Sequence, residues 1–389
     1  MTGCSTGAGG TRELSVTLCR DPRQFAALEE QWNGLLRACP TATPFQSHAW
    51  LHSWWLSYGR DGRLRIVLVR RGGVLVGAAP LMLVHRPLPL LVPLGGGITD
   101  YFDVLVDERY EKAVVPALAR GLHRAARGAV VDLREVRPGA AVERLAEEWE
   151  GTVDTLPDSA CAEFPVAPFE DLVKRMPSAG AQRTRAKLRK IDALGIEEHR
   201  VSEHEVPGTV RTMLRLHEKQ WRGRGVTPEH LRPRFAEHLT RATRRMVRSG
   251  DARLTEFRLE GEVVAATVTL MSPGLSGGYL YGADPELRAK KVDVATMLLR
   301  YEARHAQAEG RGVLSLLRGD EPYKHHWRPE TVVNRRFLLA RGSHAALLRL
   351  HGSRVSGRER AVSALREALP AARDWRNRIN EWRADGARR

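Results

Sequence analysis

The chain reads as a mixed α/β protein of two tandem units followed by a basic helical tail, and three observations lead there. Its 389 residues suit two domains of ordinary size better than one. The series helix, helix, hairpin, strand, helix, strand occurs twice along it. A hydrophobic content of 42% supplies material for two cores and excludes a disordered or fibrous chain.

The first unit is expected over residues 13–160, after a disordered 1–12. Met1–Gly10 is small and polar, without a basic start or apolar stretch, and does not read as a secretion signal. Phe25, Leu28, Trp32, Leu35 and Leu36 recur at helical spacing and predict a helix over 22–38, with Asp21 as N-cap. A second, Trp-rich helix is expected over 45–58. The β-type runs 64–70, 74–79 and 80–84 follow, the first two parted by the hairpin signal Gly72-Gly73. Gly95-Gly96-Gly97 then opens a loop into Ile98–Asp103, a strand at 104–106, a helix over 109–127 and a strand at 129–133.

The second unit, expected over 161–344, opens with a basic helix at about 178–194. Helices at 209–221 and 232–249 precede strands at 253–259, 263–271 and 278–281, the first pair joined by the turn Glu260-Gly261. A helix at 295–308 leads through Gly310 to a strand at 313–317. Residues 345–389 carry eleven Arg and five acids and read as a helical tail.

The net charge is +16 and the sequence pI about 10.3. Only eight of the 62 basic residues are lysine, so part of the excess reflects GC-rich coding. Coding bias acts on both halves alike, however, and the charge is not shared alike. Residues 1–150 hold 18 basic and 16 acidic side chains, which leaves the excess to 151–389 and points to an anionic partner there. The densest patch is Arg183, Arg185, Lys187, Arg189 and Lys190, offset nearby only by Asp192, with Leu188 and Ile191 as expected anchors to a core. No apolar run of about 18 residues exists, so no membrane span is expected and the protein is read as cytoplasmic. Cys4, Cys19, Cys39 and Cys161 show no ligand-like spacing and read as small buried hydrophobes. His325-His326 lacks further ligands at metal spacing, so no metal is expected.

Three segments carry a resemblance: Pro44–Leu51 with Trp54-Trp55, Leu94–Asp103, and Leu317–Lys324 followed by Trp327. In this order and at these separations they resemble the acyltransferase family often labelled CelD, within the GNAT superfamily, over roughly residues 20–340. That family is similar in turn to the Fem peptidyltransferases, which have two GNAT-like domains and take an amino acid from aminoacyl-tRNA. The resemblance implies tandem GNAT-like domains, acyl transfer without a permanently bound cofactor, and a role for the basic helix.

In the ordinary GNAT site a glycine-rich turn at a helix N-terminus holds the acyl-CoA pyrophosphate on backbone N–H groups. Here no glycine lies between Gly282 and Gly310, and the corresponding stretch offers Arg288, Lys290 and Lys291 instead. Aminoacyl-tRNA is therefore the favoured donor, read by Arg183, Arg185, Lys187, Arg189 and Lys190, with an amine or hydroxyl/hydroxylamine acceptor; the alternative is an acyl-CoA-dependent N-acyltransferase acting on a sugar or small amine. A nucleic-acid-binding protein without activity is a third reading. Acyl transfer to an amine needs a proton acceptor and donors for the developing oxyanion. Asp320 and Lys324, just past a strand end, are the candidates for these two roles, with a salt-bridged corner as the plainer alternative. Arg318, Tyr323 and Trp221 are candidate substrate contacts. Asp100 and Asp103 are either an acceptor-binding pair or loop caps.

Overall fold

The computed structural model describes residues 13–222, 227–319 and 322–368. The first half contains β1 (Leu14–Cys19), α1 (Pro22–Ala26), α2 (Glu29–Arg37), α3 (His48–Tyr58), β2 (Leu64–Arg71), β3 (Val74–His85), β4 (Pro89–Pro93), β5 (Leu105–Val106), α4 (Glu111–Ala125), β6 (Val130–Val136), α5 (Ala141–Glu147) and β7 (Thr152–Pro165). After α6 (Phe169–Lys174) and α7 (Ser178–Ala193), the series recurs. It runs β8 (Glu197–Arg200), α8 (Val206–Trp221), α9 (Pro233–Ser249), β9 (Ala252–Leu259), β10 (Glu262–Met271), β11 (Leu275–Ala283), α10 (Glu286–Ala289), α11 (Val294–Ala308), β12 (Val313–Arg318), α12 (Pro322–His325) and β13 (Glu330–Ala340). Helix α13 (Ala345–Ala368) follows.

All strands of the described residues join one sheet, in the order β1-β2-β3-β4-β6-β13-β7-β12-β11-β10-β9-β8, with β5 beside β3. Read inward from both edges, the order is the same sequence of equivalent strands. The last strand of each repeat is exchanged: β13 pairs with β6 of the first half, and β7 with β12 of the second. The boundary expected at 160/161 falls inside β7, and the sheet runs on through it.

Local chemistry places these elements. Gly72 and Gly73 (φ 56° and 87°) and Glu260-Gly261 (φ 55° and 84°) both adopt the left-handed pair that a two-residue hairpin turn requires. The expected helix 22–38 is two helices, broken at Ala27–Leu28, and Asp21 caps the first by accepting from Arg23 N. In α7 the buried positions Gly180, Ala181, Thr184 and Ile191 form one stripe; Leu188 is only partly buried. The strands 74–79 and 80–84 are one strand, and 278–281 is the middle of the longer β11.

Helices α3 and α9, equivalent in the two repeats, pack on each other and join the halves. The ring of Trp50 meets that of His238 edge-on at 4.6 Å, and Arg241 Nη1 donates to Ser53 O at 3.1 Å. On the same face α13 docks through Leu348 and through His351 Nε2, which lies 2.9 Å from Asp132 Oδ2. Cys19, Cys39 and Cys161 are buried and free, with burial raising the thiols of Cys19 and Cys161 to about 11 and about 12. Cys4, residues 1–12 and the tail beyond Ala368 lie outside the described residues. Among those residues no helix is long and apolar enough to cross a membrane, and no group of His, Cys, Asp and Glu could hold a metal ion.

Candidate active site

Only two strand pairs between the main strands are parallel, β4–β6 and β11–β12, and each is short. β11 and β12 are paired from Leu275↔Val313 to Gly277↔Ser315, after which β11 continues to Ala283 alone on that side. β4 and β6 likewise share only Leu90↔Val130 and Leu91↔Val131. Each repeat therefore has a V-shaped opening where its parallel strands part.

The two openings differ. In the first half the segment after Gly95–Gly97 fills the gap: Phe102 N donates to Glu135 O at 2.7 Å, and Phe102 bridges Val136 in parallel. Asp103 anchors this segment by accepting from Val104 N, Ala141 N, Val142 N and Thr41 Oγ1 at 2.6–3.0 Å. It is 1% exposed, and burial pushes its carboxyl up to about 6. Asp103 is thus a cap of its loop and of α5; the reading that paired it with Asp100 on a substrate is corrected. In the second half, among the described residues, no strand follows β11 past Gly277 on the β12 side.

The wall of this second opening is a bulge. Thr269 faces Gly278 while Val268 faces Leu280, so Tyr279 is an extra residue outside the β10 register. Its hydroxyl donates to Ile98 O at 2.9 Å and its ring packs on Trp50, tying β11 to the first half.

At the end of β12, Leu317 takes a left-handed backbone (φ 57°), as does Glu135 (φ 58°) on the equivalent strand β6. Arg318 reaches across the halves: its Nε lies 3.1 Å from Asp100 Oδ1, its Nη1 2.7 Å from Glu135 Oε1, and its Nη2 donates to Gly97 O. Burial pushes the Asp100 carboxyl up, against the opposing pull of Arg318. Asn334 Nδ2 donates to Asp100 O at 3.2 Å and Glu135 Oε2 at 3.1 Å. Beside them Tyr101 OH donates to Glu163 Oε1 at 2.6 Å, and Arg137 grips Glu163 with two hydrogen bonds. Of the residues singled out in the sequence, Asp100, Arg318 and Lys324 meet at this strand end. Glu135, Glu163, Asn334 and Arg137 were not singled out; the first three come from three different strands and Arg137 from the residue just past β6, and no local pattern marks them.

Lys324 is 3% exposed, and its Nζ donates to the carbonyl oxygens of Leu317, Arg318 and Gly319 at 3.1–3.4 Å. Buried in this way, Lys324 holds the end of β12 in its unusual conformation. Asp320 and the side chain of Tyr323 lie outside the described residues. Trp221 ends α8, its ring 6.2 Å from that of His217, whose Nδ1 lies 2.8 Å from Tyr281 O on β11.

The basic residues divide. Arg183, Arg189 and Lys190 are exposed on α7, and Arg288, Lys290 and Lys291 are exposed at and after α10. Arg185 is committed to Glu170 and Lys187 to Asp293, the latter at 2.6 Å. Asp293 also caps α11, its Oδ1 accepting from Thr296 N at 3.1 Å. The helix N-terminus at which a phosphate would bind is filled by the chain's own carboxylate.

Residues 178–325 match the acetyltransferase (GNAT) domain family. That match spans α7 through α12 of the second repeat, and the strand order of the first half repeats the same plan with the last strands exchanged. Among solved structures it is similar to FemX, with a TM-score of 0.59 at 13% identity over 82% of this chain and 98% of that one. It is also similar to the C-terminal domain (DUF2156) of a putative lysylphosphatidylglycerol synthetase from Agrobacterium fabrum (0.52, 11%, 85% and 96%). L-PGS from Bacillus licheniformis gives 0.51 at 12% identity, over 85% and 96%. At these identities the likeness is one of fold. No curated protein matches the chain.

Proposed function

We propose that the chain transfers an aminoacyl group from aminoacyl-tRNA to an amine or hydroxyl acceptor at the β11–β12 opening. The observation that carries the choice of donor is Asp293. A CoA pyrophosphate needs backbone N–H groups at the start of α11, and there a carboxylate caps the helix, with no glycine nearby to bring the backbone closer. The similarity to FemX supports the same reading.

A tRNA acceptor arm presents phosphates along its length and calls for spread cations, which Arg183, Arg189 and Lys190 supply. Lys324 acts as a positioning residue for the strand end, and Asp320 as the base that takes the acceptor's proton. The bulge at Tyr279 lies beside the opening, outside the β10 register, where the developing oxyanion would form.

The test offers labelled aminoacyl-tRNA and labelled acetyl-CoA in parallel. Turnover of the first is expected, with tRNA affinity falling steeply as salt rises. Replacing Arg183, Arg189 and Lys190 with Ala should flatten the log–log salt slope by roughly one unit per lost contact and raise KM for charged tRNA, with kcat nearly unchanged. Turnover of acetyl-CoA alone, insensitive to that triple change, would transfer the donor role to acyl-CoA held by Arg288, Lys290 and Lys291.

A further inference from the structure

On the α11 side of the sheet, one carboxyl group is buried with an oxygen left over. Glu302 is 5% exposed. Its Oε1 accepts from Thr269 Oγ1 at 2.7 Å, whereas Oε2 is buried with no hydrogen-bond partner among the described residues. Thr269 is the residue opposite Gly278 at the bulge, and a side-chain carbon built on Gly278 would come within 3.2 Å of Glu302 Oε1. Gly278 is also the first residue of β11 past its last pairing with β12. The carboxyl therefore stands at the apex of the opening, screened from it by a residue with no side chain.

Its neighbours do not neutralise it. Arg253 on β9 pulls the carboxyl down by its charge but pairs with Glu309, and burial outweighs that pull. On α11, Tyr301 bonds Thr255 of β9, and His305 is kept neutral by burial, its pKa lowered to about 4. Lys187 and Asp192 of α7 face the first half of α11 and are paired with Asp293 and Arg300. Tyr279 of β11 turns its hydroxyl to Ile98 O. Burial raises the Glu302 carboxyl to about 7, so it holds its proton for much of the time at neutral pH.

We infer that Glu302 is the general acid that protonates the leaving group of the acyl donor. The inference rests on the reading of the β11–β12 opening as the transfer site. The acceptor nitrogen attacks the acyl carbon with its lone pair, and a C–N bond forms. The ester C–O bond (C–S in a thioester) breaks, and the departing atom takes the proton from Glu302 Oε2. The proton released by the acceptor passes by way of the base to solvent, which then reprotonates Glu302, so charge and atoms balance. Holding the bulge through Thr269 would need only Oε1; the orphaned Oε2 is what a purely architectural residue leaves without a purpose.

The experiment separates this inference from the reading beneath it. Wild-type protein is given hydroxylamine as acceptor with total aminoacyl-tRNA or acetyl-CoA as donor; if neither is used, it is the transfer site itself that fails. With the donor that works, E302Q, which preserves volume and the Thr269 contact, should lose about a hundredfold in kcat. On the p-nitrophenyl ester of the same acyl group, whose leaving group needs no proton, E302Q should nearly equal wild type. Equal losses on both donors, or no loss on either, overturn the acid role. The wild-type profile gives a second reading independent of how the variant folds. With neutral hydroxylamine kept saturating at every pH, kcat should fall as pH rises through about 7, and a flat or rising profile also overturns the assignment.

Discussion

Lys324 shows how burial changes what a charged side chain does. A lysine in an open cleft is a movable donor, but one that is 3% exposed and bonded to three carbonyl oxygens is part of the backbone's support. Lys324→Ala should therefore lower both turnover and thermal stability, the latter by about 1–3 kcal/mol for carbonyls left without their donor. Asp320→Ala is expected to cut turnover at least about a hundredfold with melting unchanged. Melting curves run beside kinetics distinguish the two, and an unchanged Lys324→Ala melt would contradict the supporting role. Glu302 has the opposite sign to a salt-bridged acid. Burial raises its folded pKa to about 7, above the unfolded value, so its contribution is most favourable below about 4.5 and declines as pH rises toward 7. E302Q should remove that decline, which paired denaturation series at pH 5 and pH 8 would detect.

At the scale of elements, two contacts decide how helices sit on the sheet. Gly282 brings β11 against α8 so closely that an added carbon would overlap the Met213 carbonyl oxygen. Gly282→Ala should displace α8, destabilise the fold and loosen the Tyr281–His217 contact at the mouth of the opening. Helix α13 is fixed by a buried charge group, in which Asp132 receives two hydrogen bonds from Arg336 at 2.6–2.7 Å and lies 2.9 Å from His351 Nε2. Burial raises the Asp132 carboxyl, but His351 and Arg336 outweigh it and hold the carboxyl below its ordinary value. Asp132→Asn leaves Arg336 buried beside a neutral partner and should cost about 3–5 kcal/mol. Hydrogen exchange should show α13 opening before β6. In wild type the same docking weakens only in acid, as pH falls through the depressed pKa.

For the whole molecule, exchange of β7 and β13 makes the halves interdependent. Each half completes its sheet with the other's last strand, and Arg318 bonds Asp100, Glu135 and Gly97 across the join. A chain ended at 329 lacks β13 and should fail to fold either half, and the intact protein should unfold in one calorimetric transition. Two separate transitions would show that the halves stand alone. The exchange also explains why one opening is filled and the other is not. The segment that closes the first gap is the one that delivers Asp100 and Tyr101 to the end of β12.

The repeat, most of its helices, the hairpin turns and the basic face of α7 were legible in the sequence, because 3.6-residue spacing, glycine pairs and charge runs are local signals. So were the segments that bring Asp100, Arg318 and Lys324 together at one strand end. The central strands β7 and β13 were not, since Pro157, Asp158 and Asn334 break the alternation that marks a strand; only a bulged register accommodates them. Tertiary structure alone decided that Asp103 is a cap, that Lys324 is a support, that Lys187 is spent on Asp293, and that Glu302 is buried at the bulge. The reason is common to all four. Burial and partnership set a polar group's charge, reach and task, and both come from residues far away in the chain, such as Thr269 for Glu302 and the exchanged strands for the active-site join.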